Sequence, residues 1–250
     1  MQASFAEFVG VDGCPAGWVA VTLARDGRLE YRVFPTFDAI LCQHRRALIL
    51  VDVPIGLRDA GADERVCDRE ARRLLKRRRS SVFPAPVRAA LSAPNYEAAS
   101  RINREKTDGR RGLSRQSWAI VSKIREVNEH LAGREQPAPV VREMHPELCF
   151  WGLKEGHPLR HNKKTQEGYG ERIALLSQLV AGAVELVDTV LREKRRGVLR
   201  RDDVVDALVG AVVARLGGGC LKTLPETPEC DSVGLPMEMV YFAVQTTAAE

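Results

Sequence analysis

The chain has 250 residues, 44% of them hydrophobic, enough to bury a full core as one large domain or one domain with an insertion. A formal net charge of +5 permits an acidic partner such as nucleic acid without demanding one. Six cysteines with no C-x-x-C pair argue against a zinc site and a compact disulfide framework, so free thiols in a reducing cytoplasm are expected. No secretory signal and no bilayer-spanning run are expected either, and hence no membrane partner.

Residues 5–11 and 17–23 read as a hairpin whose turn is Asp12-Gly13, because glycine supplies the positive φ that tight turns need. Asp12 is explained either by that turn or by a strand end that holds a metal. Residues 25–28 form a second turn and 29–34 a third strand, completing an antiparallel meander. Thr36 is the expected N-cap of a helix from Phe37 to about Arg45. Residues 47–57 then run almost continuously apolar, as a central parallel strand does. Asp52 sits inside that run, which is costly unless it is paired or metal-bound.

Residues 62–81 fit a helix that grows basic towards Lys76, Arg77, Arg78 and Arg79. That block either forms a solvated face suited to the helix dipole or holds phosphates. After a proline-ruled connector at 83–86, helical segments are expected at 87–91 and 96–105, then a flexible basic loop at 109–116 carrying Arg110, Arg111 and Arg115. Ile120, Val121, Ile124, Val127 and Leu131 mark an amphipathic helix over 117–131. Residues of about 57–116 thus read as a mostly helical insertion within a single domain spanning 1–250.

Residues 139–145 resume a strand along which Val141, Glu143 and His145 alternate onto one face. Pro146 opens a helical turn that includes Glu147. A second basic loop at 160–165 carries Lys163 and Lys164, and Thr165 caps a helix to about 180; another follows at 184–194. The last strong element is a helix over 201–216, stopped by three glycines. Its Asp203 and Asp206 share a face with Ala207 and Gly210, small residues that let a helix lie close to a sheet. Acids at a helix start also complement its dipole, which accounts for Asp202 and Asp203 better than for Asp206.

Carboxylates therefore stand at four stations: Asp12, Asp52, Glu143 and the pair Asp203 and Asp206. The order of elements is that of an RNase H-like fold, an α/β architecture with a mixed five-stranded sheet, three antiparallel strands plus parallel ones, flanked by helices. There the first and fourth strands are neighbours and the last helix packs beside them, so Asp12, Asp52, Asp203 and Asp206 would converge. Clustered carboxylates need cations to stay ionised, and oxygen donors select Mg²⁺ or Mn²⁺. Two such ions could activate a water and steady the leaving oxygen in phosphodiester cleavage.

Six stretches carry a resemblance: Val9-Gly-Val-Asp-Gly-Cys14, Val51-Asp-Val-Pro-Ile-Gly-Leu57, Ser80-Ser-Val-Phe-Pro-Ala-Pro-Val-Arg88, Gly112-Leu-Ser-Arg-Gln116, Arg142-Glu-Met-His-Pro-Glu147 and Asp202-Asp-Val-Val-Asp-Ala-Leu208. In that order they resemble a domain-of-unknown-function family of predicted nucleases with an RNase H-like fold, over nearly the whole chain. The resemblance implies a metal-dependent phosphodiesterase acting on DNA or RNA. The pattern from Asp203 to Leu208 is also similar to the final helix of Holliday-junction resolvases, which implies Asp12, Asp52, Asp203 and Asp206 as metal ligands. Glu143 joins them as a further catalytic acid. Glu143, His145 and Glu147 have no simple counterpart there; His145 and Glu147 read as supports behind the ligands or substrate contacts, with His145 equally a structural histidine. Lys76, Arg77, Arg78, Arg79, Arg110, Arg111, Arg115, Lys163 and Lys164 are the expected phosphate contacts. Two rivals stand beside this reading. One is a non-catalytic nucleic-acid-binding or regulatory protein of the same fold. The other is a nucleotide-binding phosphotransferase of the actin and sugar-kinase type, which would need a second such domain.

Overall fold

In the computed structural model, residues 5–133, 139–195 and 197–244 are described. The chain runs β1 (Glu7–Cys14), β2 (Gly17–Ala24), β3 (Leu29–Phe34), α1 (Phe37–Gln43), β4 (Ala47–Val51), α2 (Val66–Leu75), α3 (Tyr96–Lys106), α4 (Arg115–Ala119), α5 (Val121–Leu131), β5 (Val140–Glu143), α6 (Pro146–Leu153), α7 (Gln166–Leu179), α8 (Ala183–Glu193), α9 (Arg201–Gly217), β6 (Lys222–Leu224) and β7 (Met239–Tyr241). It divides into two compact units, one of residues 1–52, 136–222 and 240–250, the other of 53–135 and 223–239. The expected insertion of about 57–116 falls inside the second, which is larger. Strands β6 and β7, which pair with each other, were not anticipated from the sequence.

The first unit is built on a five-stranded mixed sheet in the order β3-β2-β1-β4-β5. The pairs β1–β2 and β2–β3 are antiparallel, while β1–β4 and β4–β5 are parallel. This is the α/β sheet expected from the element order. All five residues of β4 are buried, as a strand covered on both faces requires. On one face α1, capped by Thr36 through a 3.3 Å bond from Ala39 N, sets Phe37 against Trp18. On the other lies α9, whose length is nearly all buried, including Val204, Val205, Leu208, Val209, Val212 and Val213. The approach is made possible by Gly10 in β1: a Cβ there would sit 1.8 Å from Ala207 O and 2.4 Å from Ala211 N.

The first hairpin departs from expectation. Asp12 and Gly13 pair with Val19 and Trp18 inside the ladder, and the turn falls at Pro15-Ala16. Proline pre-sets a turn dihedral, and Gly17 takes the positive φ, +131°, where a Cβ would strike Phe34 O at 2.3 Å. Gly13 is a strand residue. Strand β4 stops at Val51 instead of running to 57. Asp52 N still donates to Val11 O at 3.0 Å, but Pro54, with no N–H, ends the ladder.

In the second unit the helix expected over 62–81 is α2 alone, followed by a 3₁₀ turn over Lys76–Ser81. Lys76 adopts φ +47° and breaks the helix where four successive cations begin, so that they need not stack as like-charged neighbours. The segment expected at 87–91 is a 3₁₀ turn, Arg88–Ser92. The helix expected over 117–131 is two, α4 starting already at Arg115 and α5, separated at Ile120 (φ −109°, ψ 2°). Two buried ion pairs tie this unit. Arg65 and Asp68 meet at 2.6 Å. Asp231, fully buried, pairs with Arg88 and accepts from Leu57 N (2.9 Å), Val233 N (3.0 Å) and Leu235 N (2.9 Å).

Candidate metal centre

Asp12 and Asp52 are placed by register. Val11 and Val51 are partners across β1 and β4, so the next residues of both strands point to the same face of the sheet. That face is the one α9 covers. From its second turn Asp206 reaches down beside them, 1% exposed. One carboxylate oxygen from each of Asp12, Asp52 and Asp206 lies within 4.8 Å of the other two. Asp206 Oδ2 accepts from Lys163 Nζ at 2.5 Å, and Asp202 Oδ2 is 4.0 Å from the same ammonium. The second oxygen, Asp206 Oδ1, is buried and has no hydrogen-bond partner among the described residues. Asp12 Oδ1 accepts only locally in its own strand, from Gly13 N at 2.6 Å.

The electrostatics follow from burial and crowding. Burial raises the Asp12 carboxyl well above the ordinary range, and Asp52 and Asp206 push it further. Burial lifts Asp52 to about 6; His145 and Lys163 oppose the rise and Asp206 adds to it. Asp206 is raised by burial against the pull of Lys163. Burial would lower Lys163, but Asp206, Asp12 and Asp52 outweigh it and hold the ammonium charged. Three carboxylates facing one point are in electrostatic debt for positive charge, and Lys163 covers part of it. An all-oxygen donor set with an orphaned buried lone pair fits a hard divalent cation.

Lys163 is held in place by its surroundings. Thr165 caps α7 by accepting from Gly168 N at 3.1 Å. The preceding loop lies against that helix so closely that a Cβ on Gly168 would be 1.8 Å from Asn162 O. Arg172, 1% exposed, donates to Gly168 O (2.8 Å) and His161 O (3.3 Å) and pairs with Glu147 on α6. Glu147 is therefore a structural anchor for the loop that carries Lys163. The sequence reading missed Arg172, although its place midway between Gly168 and Leu176 on a buried i, i+4 stripe was a usable signal.

The other expected site residues are distributed differently. Glu143 is buried but pairs with Val51, so the pleat turns it to the face opposite Asp12 and Asp52. It does not join the acidic group. Strict alternation would send His145 there too, but β5 ends at Glu143 and His145 is already the N-cap of α6, close enough to bias Asp52. Asp203 is near the group but spends an oxygen on Arg200 N at 2.9 Å, capping α9. It is itself raised by burial to about 6. Cys149 lies beneath the acids, and burial together with Asp52 pushes its thiol far up, which removes it as a nucleophile. Among the expected phosphate contacts, Lys164 is exposed in the same loop as Lys163. Lys76, Arg77, Arg78, Arg79, Arg110, Arg111 and Arg115 belong to the second unit, where Arg115 lies 3.6 Å over the Tyr96 ring. No helix is long and apolar enough to cross a membrane among the described residues.

A family model described as protein of unknown function, DUF429, matches residues 10–230. No curated protein and no solved structure matches the chain.

Proposed function

The chain belongs to the DUF429 family, and from that premise we propose that it is a metal-dependent phosphodiesterase acting on nucleic acid at Asp12, Asp52 and Asp206. The observation that carries this reading is the convergence of three carboxylates from β1, the end of β4 and α9, with one buried Asp206 oxygen left without a partner. A bound Mg²⁺ or Mn²⁺ would supply an activated water and charge stabilisation for the leaving oxygen.

The remaining work falls to the chain. Asp12, Asp52 and Asp206 would hold such an ion. When ionised they carry three negative charges; Lys163 offsets one, and a single divalent ion offsets the other two. We therefore assign the site one ion, with Lys163 supplying the positive charge that a second would bring. Arg172 and Glu147 keep the Lys163 loop in register, and His145 orients beside Asp52. Cys149, beside the acids, stays protonated and does not serve as a thiolate.

The test uses end-labelled single- and double-stranded DNA and RNA with Mn²⁺, Mg²⁺ or EDTA. Wild type should cleave at least one substrate with either ion and none in EDTA, and Asp12→Asn and Asp206→Asn should each lose orders of magnitude. Equal cleavage by these variants would refute the assignment. Binding without cleavage under any ion would favour the regulatory reading.

A further inference from the structure

The second unit contains a cavity of about 280 Å³ that the metal centre does not use. Two stretches well apart in sequence wall it, Pro84-Ala85 within the 80–88 motif and Arg110 to Ser114 with Ser117, which overlap the 112–116 motif. Asn103, Leu113 and Ser117 are buried whereas Arg110 is exposed, so the cavity has an interior end and a solvent end.

The walls are tied together. Asn103 Oδ1 accepts from Val87 N and its Nδ2 donates to Arg111 O, both at 2.9 Å. Ser117 Oγ donates to Pro84 O at 3.1 Å, and Ser114 Oγ bonds Ser117 Oγ at 2.8 Å. These polar groups spend their capacity on one another. The unspent donors are the guanidinium groups. Arg111 donates through one Nη to Asp63 O (2.9 Å) and keeps the other 3.5 Å from Glu64, an acid that Arg72 also claims. Its Nε is buried with no acceptor among the described residues. Arg110 has no ion-pair partner among the described residues. Burial lowers the Arg111 pKa, Asp68 and Asp63 push it back up, and Arg58 adds to the lowering.

Two arginines on one cavity wall match an oxyanion, phosphate above all. Pro84, Ala85 and Leu113 give the same cavity an apolar side, and its volume is close to the lower end, about 300 Å³, of small-molecule pockets. We propose that this cavity binds a phosphorylated small organic molecule of nucleoside-monophosphate size, with the phosphate on Arg110 and Arg111 and the organic body against Pro84, Ala85 and Leu113. This site does not rest on the metal reading, and its binding needs no divalent ion.

Calorimetry in EDTA with adenosine 5′-monophosphate, adenosine and inorganic phosphate tests it on the full chain. The mononucleotide should bind saturably at one site, phosphate more weakly and adenosine not measurably. Arg110→Gln, an exposed side chain whose loss should leave the fold intact, should weaken binding about tenfold, the worth of one charge-assisted hydrogen bond. Arg111→Gln should weaken it more, with circular dichroism checking that the variant is folded. Asp12→Asn should bind as wild type does, which separates this site from the metal centre. No saturable binding by wild type, or unchanged affinity in folded Arg110→Gln and Arg111→Gln proteins, would overturn the proposal. Phosphate binding as tightly as the mononucleotide would overturn its organic part.

Discussion

Gly10→Ala should couple packing to the metal centre more directly than any change of a ligand. The added methyl would lie 1.8 Å from Ala207 O, 2.4 Å from Ala211 N and 2.8 Å from Gly210 C. A carbon needs about 3.3 Å from a carbonyl oxygen, so α9 would have to retreat by roughly 1.5 Å. All three obstructions are backbone, and no rotamer change relieves them. Overpacking of this kind costs about 3 kcal/mol or more, at or beyond the top of the usual range. For a chain of this size that lowers Tm by roughly 6–12 °C. Asp206 precedes Ala207, so the same retreat carries it away from Asp12 and Asp52. A misplacement near 1 Å can cost about a hundredfold in rate. Thermal unfolding and Mn²⁺ titration calorimetry should report both losses together. Gly210→Ala should be milder, because its methyl would meet Gly10 Cα and the flexible end of Met144 at 3.0 Å. Gly170→Ala, which meets nothing within 4 Å, is the control and should keep or raise Tm. If Gly10→Ala melts within 2 °C of wild type, on the order of 1 kcal/mol, and binds Mn²⁺ equally well, the close contact of α9 with β1 does not set the site.

Three further outcomes are expected. Lys163→Gln removes a positive charge that competes with the ion, so Mn²⁺ should bind several-fold more tightly while cleavage falls; calorimetry should also show one ion per wild-type chain. The buried acids predict opposite pH behaviour with and without metal. Folded Asp52 holds its proton up to about pH 6, above the ordinary value of 3.8. Its contribution to the metal-free fold is therefore complete below that ordinary value and lost as pH rises through 6. Metal needs the ionised form, so Mn²⁺ should leave Tm unchanged at pH 5 and raise it at pH 8, by roughly 5–10 °C at a hundredfold excess over Kd. Asp231→Ala leaves Arg88 to Asn128 and Asp59 but strands three backbone donors in the second unit, and a loss of about 2–3 kcal/mol should appear as faster proteolysis within residues 53–135.

The sheet was legible because its signals are periodic and local. Alternation marked β3, a wholly apolar run marked β4, and Thr36 and Thr165 marked helix starts that the structure keeps. What the sequence misplaced depends on single dihedrals. Asp12-Gly13 has turn chemistry, yet Pro15 and Gly17 two residues later have it more strongly, and the ladder runs through Asp12 to reach them. The basic helix fails at Lys76 and the amphipathic one at Ile120, where local backbone choices overrule a periodicity that continues past them.

The site was legible as a set of stations but not as a set of side chains, and strand parity explains the difference. Order along the chain says which strand ends lie side by side. Only register says which face each residue takes. Asp12 and Asp52 follow partnered valines and so point together, whereas Glu143 is itself partnered with Val51 and so points away. One residue of offset separates a ligand from a residue on the far face. Lys163 was readable as a cation in a loop, but its place among the acids depends on the Gly168–Asn162 contact and on the pair of Arg172 with Glu147, 25 residues apart. The acidic group is consequently offset in part, by Lys163, from within the first unit. The three acids of this group owe their closeness to the approach of α9 that Gly10 allows.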